Sequence, residues 1–331
     1  MIAESLNRLG DEGPVEERDE WVKPVREGEP LDHLAPVDVD PTPEWADELD
    51  RRLRLLEEMI LDERRSRERA SGLTRVRRLM KLGFIGAGSM ASALARGLGE
   101  PVLVYDPELE RAERLAAAID GQVAASNAEL ADAADLVVLC HKPAQLEQVA
   151  EEVGGRAGAV ASIMGATRTE ALEEAYPGVP VYRFLPNLPA EVGRGVLCYA
   201  PGSRAADGPE EEILGLFGRA GVIMPLDEPL LEPAMAIMSC GPAFLALVVE
   251  AMAEAGARHG LDPREATRMV VESMAGTAAY LLANGLEPGE MRARVATPGG
   301  VTEKGLAVLE DTGLRESFDG AVDLVVETAT R

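Results

Sequence analysis

Three short stretches of this 331-residue chain hold residues whose types and order can do chemistry. The first is Gly86-Ala87-Gly88-Ser89-Met90-Ala91, a GxGxxA run set between an apolar stretch and an amphipathic one. In such a run the first glycine permits a tight turn, the second lets the backbone approach a diphosphate, and the small last residue lets helix and strand pack closely. The free N–H groups of the helix N-terminus then face the anion. The spacing alone is weak evidence. Here a strand precedes it, a helix follows, and the next strand ends in Asp106, which is the context a dinucleotide site requires. Asp106 stands where a carboxylate accepts hydrogen bonds from an adenosine ribose and repels an added 2′-phosphate, a bias toward NAD. The plainer alternative is that Asp106 and Pro107 only cap the next helix, and Arg111 or Arg114 is near enough to reach a phosphate.

The second stretch, Thr297-Pro298-Gly299-Gly300-Val301-Thr302, is a flexible turn running into an apolar-periodic helix. Its backbone N–H groups converge at a helix N-terminus and suit a small carboxylate. Taken by itself it reads equally well as an ordinary helix start with Thr302 as the cap. The third stretch, Leu185-Pro186-Asn187-Leu188-Pro189, follows an apolar strand. Two prolines around an asparagine make a stiff loop, which also describes an inter-domain turn.

Other reactive residue types are scattered. His33, His141 and His259 have no metal-ligand spacing, so structural or solvated roles are expected and no metal site is. Cys140, Cys198 and Cys240 are far apart and odd in number, which fits neither a disulfide framework nor a paired zinc motif. For Cys240, as for the others, a small buried thiol is the ordinary reading. Met235, Met252, Met269 and Met274 read as core filler.

The elements that must position these stretches follow from periodicity. From Lys81 short apolar runs alternate with longer amphipathic ones, the signature of βαβ units and a parallel sheet. The spacing predicts strands over 81–86, 102–105, 136–140, 159–164, 181–184, 196–200 and 222–224, with helices over 89–98 and 108–118. Beyond about Leu230 the strands stop, and helices bounded by Pro and Gly are predicted over 242–259, 263–284, 288–295 and 302 to the end. The expected class is therefore α/β: a Rossmann-type dinucleotide-binding domain over 80–228, then an all-helical domain over 229–331. Residues 1–79 form an acidic N-terminal extension. Its first 45 or so residues are too polar to offset their ordering entropy and are expected to be disordered, and Leu53, Leu56, Met59 and Ile60 mark an amphipathic helix within 43–78. Because Met80 directly precedes the first strand, a native start there is an alternative.

A formal charge of −25 argues against a nucleic-acid partner, because phosphates repel such a surface. Aromatic residues are only 4% while apolar residues are 46%, so the core is built from Ala, Val, Leu and Met. No segment reads as an uncharged membrane span, because Glu250 and Glu254 interrupt the apolar run after Ala243. No basic, apolar leader opens the chain. A cytoplasmic protein without a membrane partner is expected.

In this order the three stretches resemble pyrroline-5-carboxylate reductase. GFIGAGSMASALARGL is similar to that family's cofactor loop, Cys140-His141-Lys142-Pro143 to the end of the strand facing the cofactor, and FLPNLPA to its inter-domain loop. SCGPAF and TPGGVTEKGLAVLE resemble its helical-domain motifs, the last being the most specific. The resemblance covers Lys81 to Thr330 and implies hydride transfer from NAD(P)H to a small cyclic imine, 1-pyrroline-5-carboxylate, giving L-proline. It implies that Gly86, Ala87, Gly88, Ser89 and Met90 line the cofactor, together with Asn127, Lys142, Pro143 and Asn187. It further implies that Thr297, Gly299, Gly300, Val301 and Thr302 hold the substrate, with the Thr302 hydroxyl near the ring nitrogen as the catalytic contact. It implies as well that 229–331 is a substrate-binding and dimerisation domain, and that the protein is a homodimer or larger homo-oligomer. An iminium carries its own activation, so the absence of an acid–base pair near these loops fits imine reduction.

Met238-Ser239-Cys240-Gly241-Pro242-Ala243-Phe244 departs from the family's smaller Ser-Gly-Ser-Gly-Pro-Ala-Tyr run, and Leu188 replaces a common threonine. Two readings therefore compete with the first: a reductase of a related cyclic imine, and a regulatory paralogue that binds NAD(P) while its pocket has drifted. A β-hydroxyacid dehydrogenase is disfavoured, because the helix after Pro242 carries Glu250, Glu254 and Arg258 and no lysine.

Overall fold

The computed structural model describes residues 80–329; the predictions of disorder and of an amphipathic helix within 1–79 lie outside the described residues. The described residues belong to one compact unit. Its first half runs β1 (Leu82–Ile85), α1 (Ser89–Leu98), β2 (Leu103–Tyr105), α2 (Leu109–Ala118), β3 (Gln122–Val123), α3 (Asn127–Ala133), β4 (Leu136–Leu139), α4 (Leu146–Val153), β5 (Val160–Ser162) and α5 (Thr169–Ala175). It continues through β6 (Val181–Leu185), β7 (Gly195–Pro201), α6 (Glu210–Phe217) and β8 (Gly221–Pro225).

The strands form one eight-stranded sheet in the order β3-β2-β1-β4-β5-β6-β7-β8. Every neighbouring pair is parallel except β6 and β7, so the architecture is a doubly wound, Rossmann-type sheet. Chain order reverses between β1 and β4, which pair with Ile85 opposite Leu139. That reversal leaves a crevice beyond the carboxyl ends of the two strands, the usual ligand position in such sheets. The continuous apolar run of β4 is explained by burial on both faces. Leu136 and Val138 enter one core with Leu82, Phe84 and Leu94, while Val137 and Leu139 enter the other with Ile85, Leu130 and Leu172. At the far end Phe184 stacks on Tyr199 and Phe217 with ring centroids 4.8 and 4.3 Å apart. Close approach decides one glycine: a Cβ at Gly97 would lie 1.9 Å from the Ala190 carbonyl oxygen, so only glycine lets α1 touch the 3₁₀ turn Leu188–Val192.

The second half is helical: α7 (Leu231–Met238), α8 (Gly241–Arg258), α9 (Pro263–Asn284), α10 (Pro288–Val295), α11 (Val301–Asp311) and α12 (Leu314–Ala329). The predicted helix from Thr302 to the end is interrupted at Gly313, whose φ of +81° breaks the helical path. These helices bury little. Ala253 is the only buried residue of α8 and Ala266 of α9, and α10, α11 and α12 have none. Met252 and Met269 are exposed, which corrects their reading as core filler: in one chain they lie on an uncovered apolar surface. The 31-residue stretch Glu228–Arg258 is long and apolar enough to match a membrane span by length and composition, contrary to the expectation that no segment would.

Candidate active site

The GxGxxA loop is built by the β1–α1 connection. Gly86 has φ +106°, and a Cβ there would lie 2.8 Å from the Cys140 carbonyl group, so the turn requires glycine. Gly88 is the N-cap of α1 with no side chain capping it, and a Cβ on it would meet nothing within 4 Å. The first bond back to the cap runs from the Ser92 N–H to the Gly88 carbonyl, 2.9 Å, so the earlier N–H groups of the turn have no intrahelical partner. Ser89 is exposed beside them. The result is an open, positively polarised helix end over the switch-point crevice.

Asp106 directly follows β2 and is fastened to this loop. Its Oδ2 accepts the Ala87 N–H and its Oδ1 the Glu108 N–H, both at 2.8 Å. The simple capping reading is thereby modified: Glu108 is the N-cap of α2, and Asp106 clips two loops together. Opposite, Asn127 is buried at the start of α3, with its Nδ2 donating to Glu152 at 2.7 Å and its Oδ1 unpartnered. His141 follows β4. One ring nitrogen, Nδ1, lies 3.0 Å from the Lys142 carbonyl, and Nε2 is buried without a partner. Burial pushes the imidazole below its ordinary value, against the opposing Lys142 carbonyl, so the ring is held neutral with a bare acceptor nitrogen. Burial also pushes the neighbouring Cys140 thiol well up, which removes it as a nucleophile. Lys142 and Pro143 are exposed on the same loop.

An open helix N-terminus, a cradle that a Cβ would partly fill and two buried orphan acceptors together suit a nicotinamide dinucleotide. Its diphosphate needs N–H donors, and its ribose hydroxyls and carboxamide donate hydrogen bonds. Asn187, expected to line the cofactor, has both amide atoms engaged within the protein. Its Oδ1 accepts the Val196 N–H at 2.9 Å and its Nδ2 donates to the Met238 carbonyl at 2.8 Å, so it braces the β6–β7 loop against the end of α7. That brace also locates Met238, whose side chain is buried with Leu185, Cys198 and Leu231. The bulk at Met238 thus enters core, while Cys240 just before α8 is half-buried.

At the second helix end Gly300 is the N-cap of α11, with no side-chain cap. Thr302 is the second helical residue and not the cap, half-exposed. Gly299 has φ +75°, and its N–H donates to the Glu303 carboxylate at 2.6 Å. Thr297 supplies the carbonyl that accepts the Gly300 N–H at 2.9 Å, and Val301 is exposed. Within one chain α11 packs mainly on α12.

Sequence reasoning passed over one cluster. Arg183 of β6 is fully buried, 2.9 Å from Glu228 and 3.2 Å from Glu232. Glu228 also accepts the N–H and hydroxyl of Thr169, each at 2.5 Å. An arginine inside the otherwise apolar strand VYRFL was the available signal, because buried arginines are rare unless paired.

Two family models match the chain. Residues 228–331 match pyrroline-5-carboxylate reductase dimerisation, and residues 81–164 match NADP oxidoreductase coenzyme F420-dependent. A pyrroline-5-carboxylate reductase from Methanosarcina acetivorans is 31% identical over 256 residues, covering 73% of this chain and 94% of the relative. The chain belongs to the pyrroline-5-carboxylate reductase family. A family member from Mycobacterium tuberculosis is 32% identical over 277 residues, covering 74% of this chain and 94% of that one. The crystal structure of a Plasmodium falciparum pyrroline carboxylate reductase with NADP bound superposes with a TM-score of 0.68 at 26% identity, covering 76% of this chain and 97% of its own. The dimerisation match spans the apolar stretch Glu228–Arg258.

Proposed function

We propose that the protein reduces 1-pyrroline-5-carboxylate to L-proline with NAD(P)H, as a cytoplasmic homodimer or larger ring of dimers. The observation that carries this reading is a pair of uncapped helix N-termini, at Gly88 and Gly300, in a chain of this family. One suits a diphosphate and the other a carboxylate. Residues 80–228 then serve as the cofactor domain and 229–331 as the substrate and dimerisation domain. Free cysteines at 140, 198 and 240 suit a reducing compartment.

When bound, NAD(P)H supplies the hydride that the iminium carbon accepts. The protein's own contribution is position and charge. The N–H groups of Ser89 and Met90 hold the diphosphate, and Asn127 and His141 accept hydrogen bonds from cofactor donors. Lys142, Pro143 and Asn187 shape the crevice wall. The turn Thr297–Thr302 holds the substrate carboxylate, and the Thr302 hydroxyl lies by the ring nitrogen, holding the proton that the iminium brings and the amine keeps. No side chain has to deliver that proton, which agrees with a crevice lined by a neutral histidine and an inert thiol.

Steady-state oxidation of NADH and NADPH with pyrroline-5-carboxylate tests the reading, with saturable turnover expected. Thr302→Ala should lower kcat by about 10-fold or more while dinucleotide affinity stays within error. Unchanged kinetics would remove Thr302 from the site, and no turnover by the unaltered protein would sink the assignment. The buried placement of Met238 speaks against a drifted pocket, leaving a related imine as the second reading through Cys240.

A further inference from the structure

We propose that Asp106 makes this protein selective for the unphosphorylated dinucleotide, NADH over NADPH. The inference rests on the cofactor reading above and concerns which form of the cofactor is taken. Beyond the end of β2 lies a cleft of about 390 Å³, walled by Tyr105, Asp106, Pro107 and Leu109 on one side and by residues 123–125 on the other. In a doubly wound sheet this is the berth of the adenosine ribose.

The cleft's charge is negative. Asp106 is the only charged side chain in its lining, and its two bonds to the Ala87 and Glu108 N–H groups, 2.8 Å each, stop it from swinging out. Each oxygen keeps a lone pair, so the carboxylate can accept ribose hydroxyls while it is clipped. At the opposite rim Glu129 accepts the Ala125 N–H at 2.8 Å, which adds a second carboxylate. Pro107 has no N–H to offer. The nearby cations are occupied on the surface of α2: Arg111 pairs with Glu108 at 2.9 Å and Arg114 with Glu110 at 3.7 Å. A ribose hydroxyl entering this cleft finds acceptors. A 2′-phosphate finds two fixed anions and must draw an arginine away from its partner.

The test is calorimetric titration of the full-length protein with NAD⁺ and with NADP⁺, without any imine. NAD⁺ should bind at least about 30-fold more tightly, equivalent to about 2 kcal/mol. Asp106→Asn removes the charge and should narrow the gap, chiefly by strengthening NADP⁺. Glu108→Arg should narrow it too, by freeing Arg111 and adding a cation while leaving both Asp106 hydrogen bonds to backbone in place. Equal affinity in the unaltered protein overturns the inference and leaves the reductase reading standing. Failure of both dinucleotides to bind overturns both. An undiminished gap in either folded variant moves selectivity away from this cleft and refutes the role of Asp106. Selective binding without imine turnover supports the inference while the substrate assignment fails.

Discussion

A buried guanidinium is tolerated only where its charge is answered, and Arg183 shows how one is answered across a junction. It leaves the sheet at β6 and reaches Glu228 and Glu232 at the start of the helical half, while Thr169 fixes Glu228 from α5. Burial by itself pushes the Glu228 carboxyl up, but the Thr169 hydroxyl and N–H and the Arg183 guanidinium outweigh it and hold the group below its ordinary value. A carboxylate depressed in the folded state contributes stability above its unfolded pKa, about 4.3 for glutamate, and that contribution is lost as pH falls through the folded value. Arg183→Met should therefore cost about 3 kcal/mol near neutral pH by leaving two carboxylates uncompensated, with Glu228 partly screened by solvent. Arg183→Met with Glu228→Gln and Glu232→Gln should recover most of it. Denaturant unfolding between pH 3 and about pH 7 checks both, and a single variant as stable as the parent would show that the cluster holds nothing together.

The helix α11 makes a second argument, at the scale of an element. The carboxylate of Glu303 already accepts the Gly299 N–H at 2.6 Å, so a substrate carboxylate approaching this helix end meets an anion that must move aside. Glu303→Ala should lower KM for the imine several-fold, by removing a like charge at a helix N-terminus worth about 0.3–1 kcal/mol; a raised KM would mean that Glu303 holds the turn in its working shape. Such interactions explain what the sequence does and does not disclose. Helix α1 is readable to its ends, because an apolar face and flanking glycines bound it. Strand β3 is two residues long, too short for any alternation, and the break at Gly313 is hidden inside a continuous amphipathic run. The glycines of the cofactor loop declare themselves, since only their backbone freedom fits the turn. The clip from Asp106 to Ala87 and the brace from Asn187 to Met238 do not, because each joins residues far apart in the chain whose meeting depends on the fold.

At the scale of the whole molecule, the sheet half is a finished core and the helical half is not. Leu245 and Leu247 of α8, Val271 of α9 and Leu324 of α12 stand open in a single chain, and apolar surface on this scale marks an association face. Leu247→Asp should shift the protein toward monomer in sedimentation velocity and remove turnover, while dinucleotide binding to the sheet half persists. An intact oligomer would place the interface elsewhere. The same sparse burial bears on how active protein first arises in the cell. The sheet half holds its own core, whereas α8 and α9 pack on each other and leave most of their apolar side chains uncovered. If a second copy completes the helical half, active enzyme should rise more steeply than in proportion to chain concentration, which activity per chain measured across a dilution series checks.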